Sequence, residues 1–422
     1  MNILIVNTYD KGGAANACIR LHNALLNHGY SSKLLVLHRS DDQVNDNIFK
    51  FKTAPSGLNS ILKRIINKFD FKKKKKKEKE RLFRSNRSVH LEYFSFPYSE
   101  YDITQSELYK EADVINLHWV AQFLDYDSFF KKNKKPVVWT LHDMSPFLGG
   151  EHYNEIYDGI DDGGMPKSRV HNNLELKVFD EIIEKKLNIF RQVNNLMLIS
   201  PSNWLKRVAE NSQVFNKFPC YHVPNTIESE SFKILNKKAS QKDYDITHDG
   251  IKLLFVSQSL NNSRKGIKIL VKAFESLEND QISLYAVGDS NNVDFDALGI
   301  NSLGIIKEEE EMNKIYNAVD VFILPSLMDN LPNTAIESCL SGTPVIGFDV
   351  GGIPEIIEDG YNGILIKKHD AEGLKDGIKK FLEEGVKWSA EEIRNDAIAK
   401  YNSKLIVNKY IDVYNEAIKD SC

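Results

Sequence analysis

Cysteine is scarce in this 422-residue chain: Cys18, Cys220, Cys339 and Cys422, none close to another. That spacing leaves no paired-cysteine zinc motif and no disulfide framework, and it fits reduced thiols of a cytosolic protein. No stretch approaches the ~18 consecutive apolar residues of a membrane-spanning helix. The opening MNILIVNTYDKGG lacks a cationic lead, and its short apolar run reads as a first strand rather than a signal peptide. Excess charge is also lacking. The net charge is −4, from 55 Lys+Arg against 59 Asp+Glu, so the molecule as a whole is not a nucleic-acid binder. Two phosphate fingerprints are absent. No GxGxxG follows the first strand, which disfavours a nicotinamide enzyme. The Lys265–Gly266 pair has no glycine-rich run before it and no Ser or Thr after the lysine, so it is not a Walker loop.

What is present is a chain too long for one ordinary core, with 42% hydrophobic residues, normal for a globular protein. Apolar strands alternate with helices, which predicts an α/β fold with parallel sheets. Strands are expected at Asn2–Val6, Lys33–Leu37, Val114–Leu117, Val137–Leu141 and Leu196–Ile199 in the first half. The second half offers Lys252–Val256, Ile282–Val287, Val321–Leu324, Pro344–Gly347 and Ile364–Ile366. Each half reads as its own Rossmann-like domain, 1–224 and 225–402, facing across a cleft. The polar stretch from Glu228 to Gly250 reads as surface loop. The last segment, 403–422, has helical spacing and is expected to return to the first domain.

An insertion at 57–81 interrupts the pattern. Leu58, Ile61, Leu62, Ile65, Ile66 and Phe69 recur at helical spacing, with Lys63, Arg64 and Lys68 on the other face. Lys72, Lys73, Lys74, Lys75, Lys76 and Lys77 follow. A basic amphipathic helix of this kind can lie on an anionic membrane surface; equally, any surface helix docked on its own domain needs an apolar stripe.

The chemistry concentrates in Leu324–Val345, LPSLMDNLPNTAIESCLSGTPV. It reads as a strand, a polar loop with Asp329, Asn330, Leu331, Pro332 and Asn333, a helix with Glu337, and another strand. Amide groups at a helix start suit phosphates, and carboxylates suit sugar hydroxyls, so the segment can hold a nucleotide sugar. Taken alone, Asp329 is also a turn former and Glu337 a solvent-facing helix residue. Gly12 and Gly13 after the first strand let backbone approach a ligand closely. Arg264 and Lys265 stand together at a helix start, where they oppose the dipole unless an anion such as a diphosphate compensates; otherwise they form an exposed basic turn. His142 and Asp143 follow a buried strand, and His118 follows its neighbour. Strand carboxyl ends are where ligands meet α/β sheets.

Together these segments resemble the retaining GT-B glycosyltransferases, the large nucleotide-sugar-dependent family that includes glycogen synthases and sucrose synthases. The hallmark is an acidic residue, seven residues, then Glu, followed by a GxPV segment. Here it is Asp329, Glu337 and Gly342-Thr343-Pro344-Val345. The stretch DVGGIPEIIEDGYNGILI, the KGG turn, the HD pair and the RKG segment add to the likeness, and VVWTLHDMSPFLGGEHY resembles enzymes of the bacterial cell-surface polysaccharide branch.

The resemblance implies roles residue by residue. Glu337 would hold the ribose hydroxyls and Asp329 the donor sugar. Arg264 and Lys265 would bind the diphosphate, with Gly12, Gly13 and the amides of Asn330 to Asn333 beside it. His142 would sit at the reacting sugar, and His118 and Asp143 on the acceptor side. It implies no cofactor and no metal, since protein charge stabilises the leaving group. The expected partners are a nucleotide-sugar donor, a saccharide or lipid-linked saccharide acceptor, and an anionic membrane surface. The implied work is extension of cell-surface polysaccharide, O-antigen or capsule in the cytoplasm, peripherally on the membrane's inner face. A sugar-nucleotide epimerase of the same fold, or a non-catalytic nucleotide-sugar-binding protein, stand as alternatives. Three departures matter: Asp329 replaces the first hallmark Glu, Ser257–Gln258 replaces a common glycine-arginine pair, and the cysteines frequent after the GG of the HD segment are missing.

Overall fold

The computed structural model of the chain describes residues 1–40, 47–52, 78, 80–87, 91–259, 262–277, 281–289, 295–384 and 388–421. Lys63, Arg64, Lys68 and Lys72 to Lys77, the basic part of the expected insertion, lie outside the described residues.

Strand Asn2–Tyr9 shows why the chain forms two-sided sheets. Its six residues from Ile3 to Thr8 are all buried, as parallel strands covered by helices on both faces must be. Around it a seven-stranded sheet runs Ile48–Lys50, Ser31–His38, Asn2–Tyr9, Val114–Leu117, Val137–Thr140, Leu196–Ser200 and Cys220–His222. A second, six-stranded sheet runs Ile300–Ser302, Ile282–Asp289, Ile251–Ser259, Val321–Leu324, Val345–Phe348 and Gly363–Ile366. Every pairing in both sheets is parallel. The strand order reverses between Asn2–Tyr9 and Val114–Leu117 in the first sheet. In the second it reverses between Ile251–Ser259 and Val321–Leu324. Such reversals open a crevice beyond the carboxyl ends of the flanking strands.

The expected α/β architecture of two Rossmann-like sheets is therefore present, with differences of detail. Three short edge strands, Ile48–Lys50, Cys220–His222 and Ile300–Ser302, were not expected; three residues carry too little alternation to register as strands. The Glu228–Gly250 stretch is not merely surface loop. It contains the helix Lys237–Asp243, capped by Asn236, and it buries Phe232 and Ile246 against the second sheet's helices. Two isolated apolar anchors in a polar stretch leave no periodic signal. The segment 149–166, part of the first half, carries most of a small antiparallel hairpin, Tyr157–Ile160 with Pro166–Ser168.

The last helix, Ser403–Asp420, returns to the first sheet. Its Ile406, Val407, Tyr410 and Tyr414 form one core with Ile3, Ile5, Cys18 and Leu21. Ile406 is fully buried there. Ile406→Ala is expected to destabilise the protein by about 2–5 kcal/mol, measured as the midpoint shift in denaturant unfolding. An unchanged midpoint would mean that the helix contributes nothing to the first sheet's core.

Candidate functional site

The two crevices face each other, and the residues at their mouths meet. Gly12 ends the first strand's turn with φ 101°, a conformation that only glycine adopts without strain. A Cβ there would lie 3.1 Å from the Gln258 side chain of the second sheet, whereas one at Gly13 would meet no atom within 4 Å. The backbone at Gly13 is thus open on the side of the cleft, and its carbonyl accepts a 3.4 Å hydrogen bond from Asn333 Nδ2. Pro332 provides no side-chain cap for the Asn333–Leu340 helix, so the first amides of that helix depend on other partners.

Arg264 and Lys265 lie in a short 3₁₀ turn, Ser263–Lys265, just before the helix Ile267–Glu275. Their charges are not left to oppose the dipole. Lys265 Nζ lies 2.6 Å from Asp329 Oδ2, and Arg264 Nη1 lies 3.4 Å from the same oxygen. Arg264 Nε also pairs with Glu92 Oε1 at 2.6 Å, Nη1 donates to the Met328 carbonyl, and the guanidinium lies 4.7 Å from the Tyr153 ring centroid. Burial alone would raise the Asp329 carboxyl, but Lys265 and Arg264 hold it below its ordinary range. Glu92 behaves likewise, burial being outweighed by Arg264 and then His152. The compensation expected from a diphosphate is, in this structure, supplied by two carboxylates of the protein.

Glu337 is buried, not solvent-facing. Arg20 of the first domain's Gly13–Asn27 helix reaches its Oε1 at 2.8 Å, and Tyr316 donates to Oε2 at 3.0 Å. Arg20 Nε also binds Glu309 Oε1 at 2.7 Å, while its buried Nη1 has no hydrogen-bond partner among the described residues. Each Glu337 oxygen, with one donor, keeps acceptor capacity.

On the first sheet, the strands Val114–Leu117 and Val137–Thr140 deliver His118 and His142 side by side, with His118 Nδ1 2.9 Å from His142 Nε2. Burial pushes His142 down to about 4 despite neighbouring Asp143, and pushes His118 well below its usual value. Asp143 turns the other way. It accepts from Trp119 Nε1 at 3.1 Å and Ser145 N at 2.7 Å, and meets His152 Nδ1 at 3.0 Å. Burial would raise its carboxyl, yet His152 and Ser145 hold it at about 2. Beneath this loop lies Lys186, 1% exposed, whose ammonium donates to the Ser145 and Leu148 carbonyls.

Sequence reasoning missed the residues that join the halves. Glu92 and Arg20 are two. Glu355, inside the DVGGIPE stretch, is a third: it accepts the amides of Asn203 and Trp204, both at 2.8 Å, at the first turn of the Asn203–Glu210 helix. Asn330 also points across. It accepts from Ser202 Oγ at 2.6 Å and donates to the Leu141 and His142 carbonyls. A charged or amide side chain with a distant partner carries no local signal; Glu355 lay in a stretch already singled out, and Asn330 was expected there for its backbone amide, not for its side chain.

Residues 250–384 match the family described as glycosyl transferases group 1. A capsular polysaccharide biosynthesis glycosyltransferase of Staphylococcus aureus, CapM, is 24% identical over 258 residues, covering 58% of this chain and 67% of CapM. A sucrose-phosphate synthase from Thermosynechococcus elongatus superposes with a TM-score of 0.67 at 16% identity, over 99% of this chain and 98% of that one. Anabaena Alr3699/HepE, in complex with UDP and glucose, also gives 0.67 at 16% identity, over 99% of this chain and all (100%) of its own. The fold is GT-B, two facing Rossmann-like sheets with a C-terminal helix.

Lys186 gives a pH signature. Burial lowers its ammonium to about 7 from 10.5 in the unfolded chain. Below pH 7 both states hold the proton. Between those two values only the unfolded state does, so this group makes the fold gain stability as pH rises, by up to about 1.4 kcal/mol per pH unit. Stability measured against pH for the protein and for Lys186→Met should diverge in that window, with the parent gaining. Parallel curves would place the proton elsewhere.

Proposed function

We propose that this chain, whose residues 250–384 carry a domain of the glycosyl transferases group 1 family, moves a sugar from a nucleotide diphosphate sugar to a saccharide acceptor. The observation that carries the reading is a convergence. Glu337, Asp329, Arg264, Lys265 and His142 come together where the strand order of each sheet reverses, across one cleft.

The parts divide the work. The spare acceptor capacity of Glu337 suits two vicinal ribose hydroxyls, and the unpartnered Arg20 Nη1 lies beside it. Lys265 and Arg264 suit the diphosphate, exchanging Asp329 and Glu92 for phosphate oxygens as the donor arrives. Breaking the bond between sugar and diphosphate leaves negative charge on phosphate and positive charge on the ring. Cations already oriented in a buried site stabilise that leaving group without reorganisation. The neutral His142 and the Asp329 loop border the ring. Retention of configuration, by attack on the face that the diphosphate leaves, and independence from metal complete the proposal.

The acceptor belongs on the first domain. A cavity of about 420 Å³ there is lined by Met144, Phe147, Leu148, Asn154, Trp204, Arg207, Val208, Asn211 and Ser212. It adjoins the site through Trp204, whose ring lies 6.4 Å from Tyr153, the residue under Arg264. Its apolar floor and polar rim suit a lipid-linked saccharide, and the likeness to CapM supports a role in cell-surface polysaccharide assembly. Among the described residues no helix is long and apolar enough to cross a membrane. We place the enzyme in the cytoplasm with peripheral attachment through the lysine run.

Release of nucleoside diphosphate from a panel of sugar nucleotides is expected only with acceptor present, and to persist in EDTA. Conversion of the donor to its epimer without acceptor would favour the epimerase, and release of nucleoside diphosphate without acceptor would mean hydrolysis; nucleotide binding with no turnover on a broad panel would favour the binding protein. Lys265→Ala should weaken nucleoside diphosphate binding about tenfold or more, the loss of one charge-assisted contact, and leave the nucleoside unaffected. Calorimetric titration of both ligands measures the contrast, and equal losses for both would remove Lys265 from the diphosphate.

A further inference from the structure

The ring of His142 is not free to choose its tautomer, and the reason starts two side chains away. Asn116 Nδ2 donates to the Val138 carbonyl at 3.1 Å and to Thr140 Oγ1 at 3.0 Å. A carbonyl can only accept, so the amide orientation is fixed and Oδ1 faces the other way. That oxygen takes two hydrogen bonds. One comes from the Tyr414 hydroxyl at 2.6 Å, the other from His118 Nε2 at 3.1 Å. His118 therefore carries its proton on Nε2.

Its Nδ1 then holds a lone pair, aimed at His142 Nε2 only 2.9 Å away. Two facing lone pairs would repel, so the proton between the rings sits on His142 Nε2. With His118 buried, His142 half-buried and both pKa values pushed down, neither takes a second proton near neutrality. The nitrogen left over, Nδ1 of His142, is an acceptor, and His142 is the partly exposed member of the pair.

We infer that His118 is a positioning residue: through one hydrogen bond it holds His142 in the Nε2–H tautomer, so that Nδ1 of His142 is presented as an acceptor for a sugar hydroxyl. Asn116 and Tyr414 set the relay, which links the chain's last helix to the reacting ring. The kinetic part rests on the glycosyl-transfer reading; the tautomer does not.

The test therefore has two arms. In protein labelled with ¹⁵N-histidine, with the His142 signals assigned by their loss in His142→Gln, Nδ1 should show the shift of an unprotonated nitrogen and Nε2 that of a protonated one. His118→Leu should let the second tautomer appear. His118→Asn, which returns a carbonyl oxygen near the place of Nδ1, should restore the first. In turnover, His118→Leu should lower kcat roughly ten- to a hundredfold, the usual scale for losing a group that orients an imidazole. Donor Kd should stay within about twofold, and His118→Asn should recover most of the rate. A proton on His142 Nδ1 in the parent protein would overturn the inference whatever the turnover. So would a His118→Leu protein that loses kcat with its tautomer unchanged. A parent that folds, shows the expected tautomer and never turns over would count against glycosyl transfer alone.

Discussion

A charge buried between two sheets must find a partner there, because taking it out of water unpaired costs several kcal/mol. In this molecule the decisive partners come from opposite halves. Arg20 of the first domain pairs with Glu337 and Glu309 of the second, and Arg264 of the second pairs with Glu92 of the first. Glu355 completes the set by accepting amides at a helix start across the boundary. Ion pairs of this kind bring little net stability over an apolar contact. What they do is couple the two halves: each pair is complete only when the sheets face each other as they do here. Glu337 and Arg264 are thus paired across the boundary, whereas Lys265 and Asp329 pair within the second half.

The backbone obeys the same economy of space. From Leu327 to Leu331 the loop after the strand Val321–Leu324 is entirely buried. It owes its shape to close neighbours. The Gly352 amide donates to the Asp329 carbonyl at 3.0 Å, and a Cβ on Gly352 would fall 1.7 Å from the Asn330 carbonyl oxygen. Only glycine fits that approach. Asn330 in turn holds the His142 carbonyl. The DVGG stretch thus supports the loop, and the loop supports the first domain's histidine, so three separate sequence segments fix one another's positions.

How much of this was legible in the sequence follows from range. The strand Val321–Leu324 is an apolar run between Asp320 and Pro325, and Val114–Leu117 is apolar but for Asn116 between Asp113 and His118; their limits in the fold match those read from the chain. Gly12, Asp329 and the Arg264–Lys265 pair stood out because each sits between a strand's end and a helix's start, where local chemistry is constrained, and Glu337 stood out by its spacing from Asp329. Arg20 did not. On an amphipathic helix an arginine reads as a solvated residue, and the carboxylate that buries it is 317 positions away, with Glu309 at 289. Glu92 and Lys186 were hidden for the same reason, since a buried ion gives no periodic pattern. Phe232 and Ile246 failed as signals because two apolar residues in a polar stretch are as common on a surface as in a core.

The departure at Asp329 becomes physical in this light. Its Oδ2 meets Lys265 at 2.6 Å and Arg264 at 3.4 Å, while Oδ1 accepts the Asn330 amide at 3.1 Å. The last contact, to the very next amide, suits a short side chain folded back on its own loop. A glutamate from the same Cα would carry its carboxylate one methylene further. It would overshoot the Asn330 amide and shift its pairing between the two cations. The choice of aspartate therefore sets where Lys265 and Arg264 stand, and it leaves more room above the loop than glutamate would. Glu337, Tyr316 and Arg20 form a separately buried cluster, and neither consequence reaches it. The two carboxylates are thus held by independent sets of contacts, so a change of side chain at Asp329 leaves the partners of Glu337 in place.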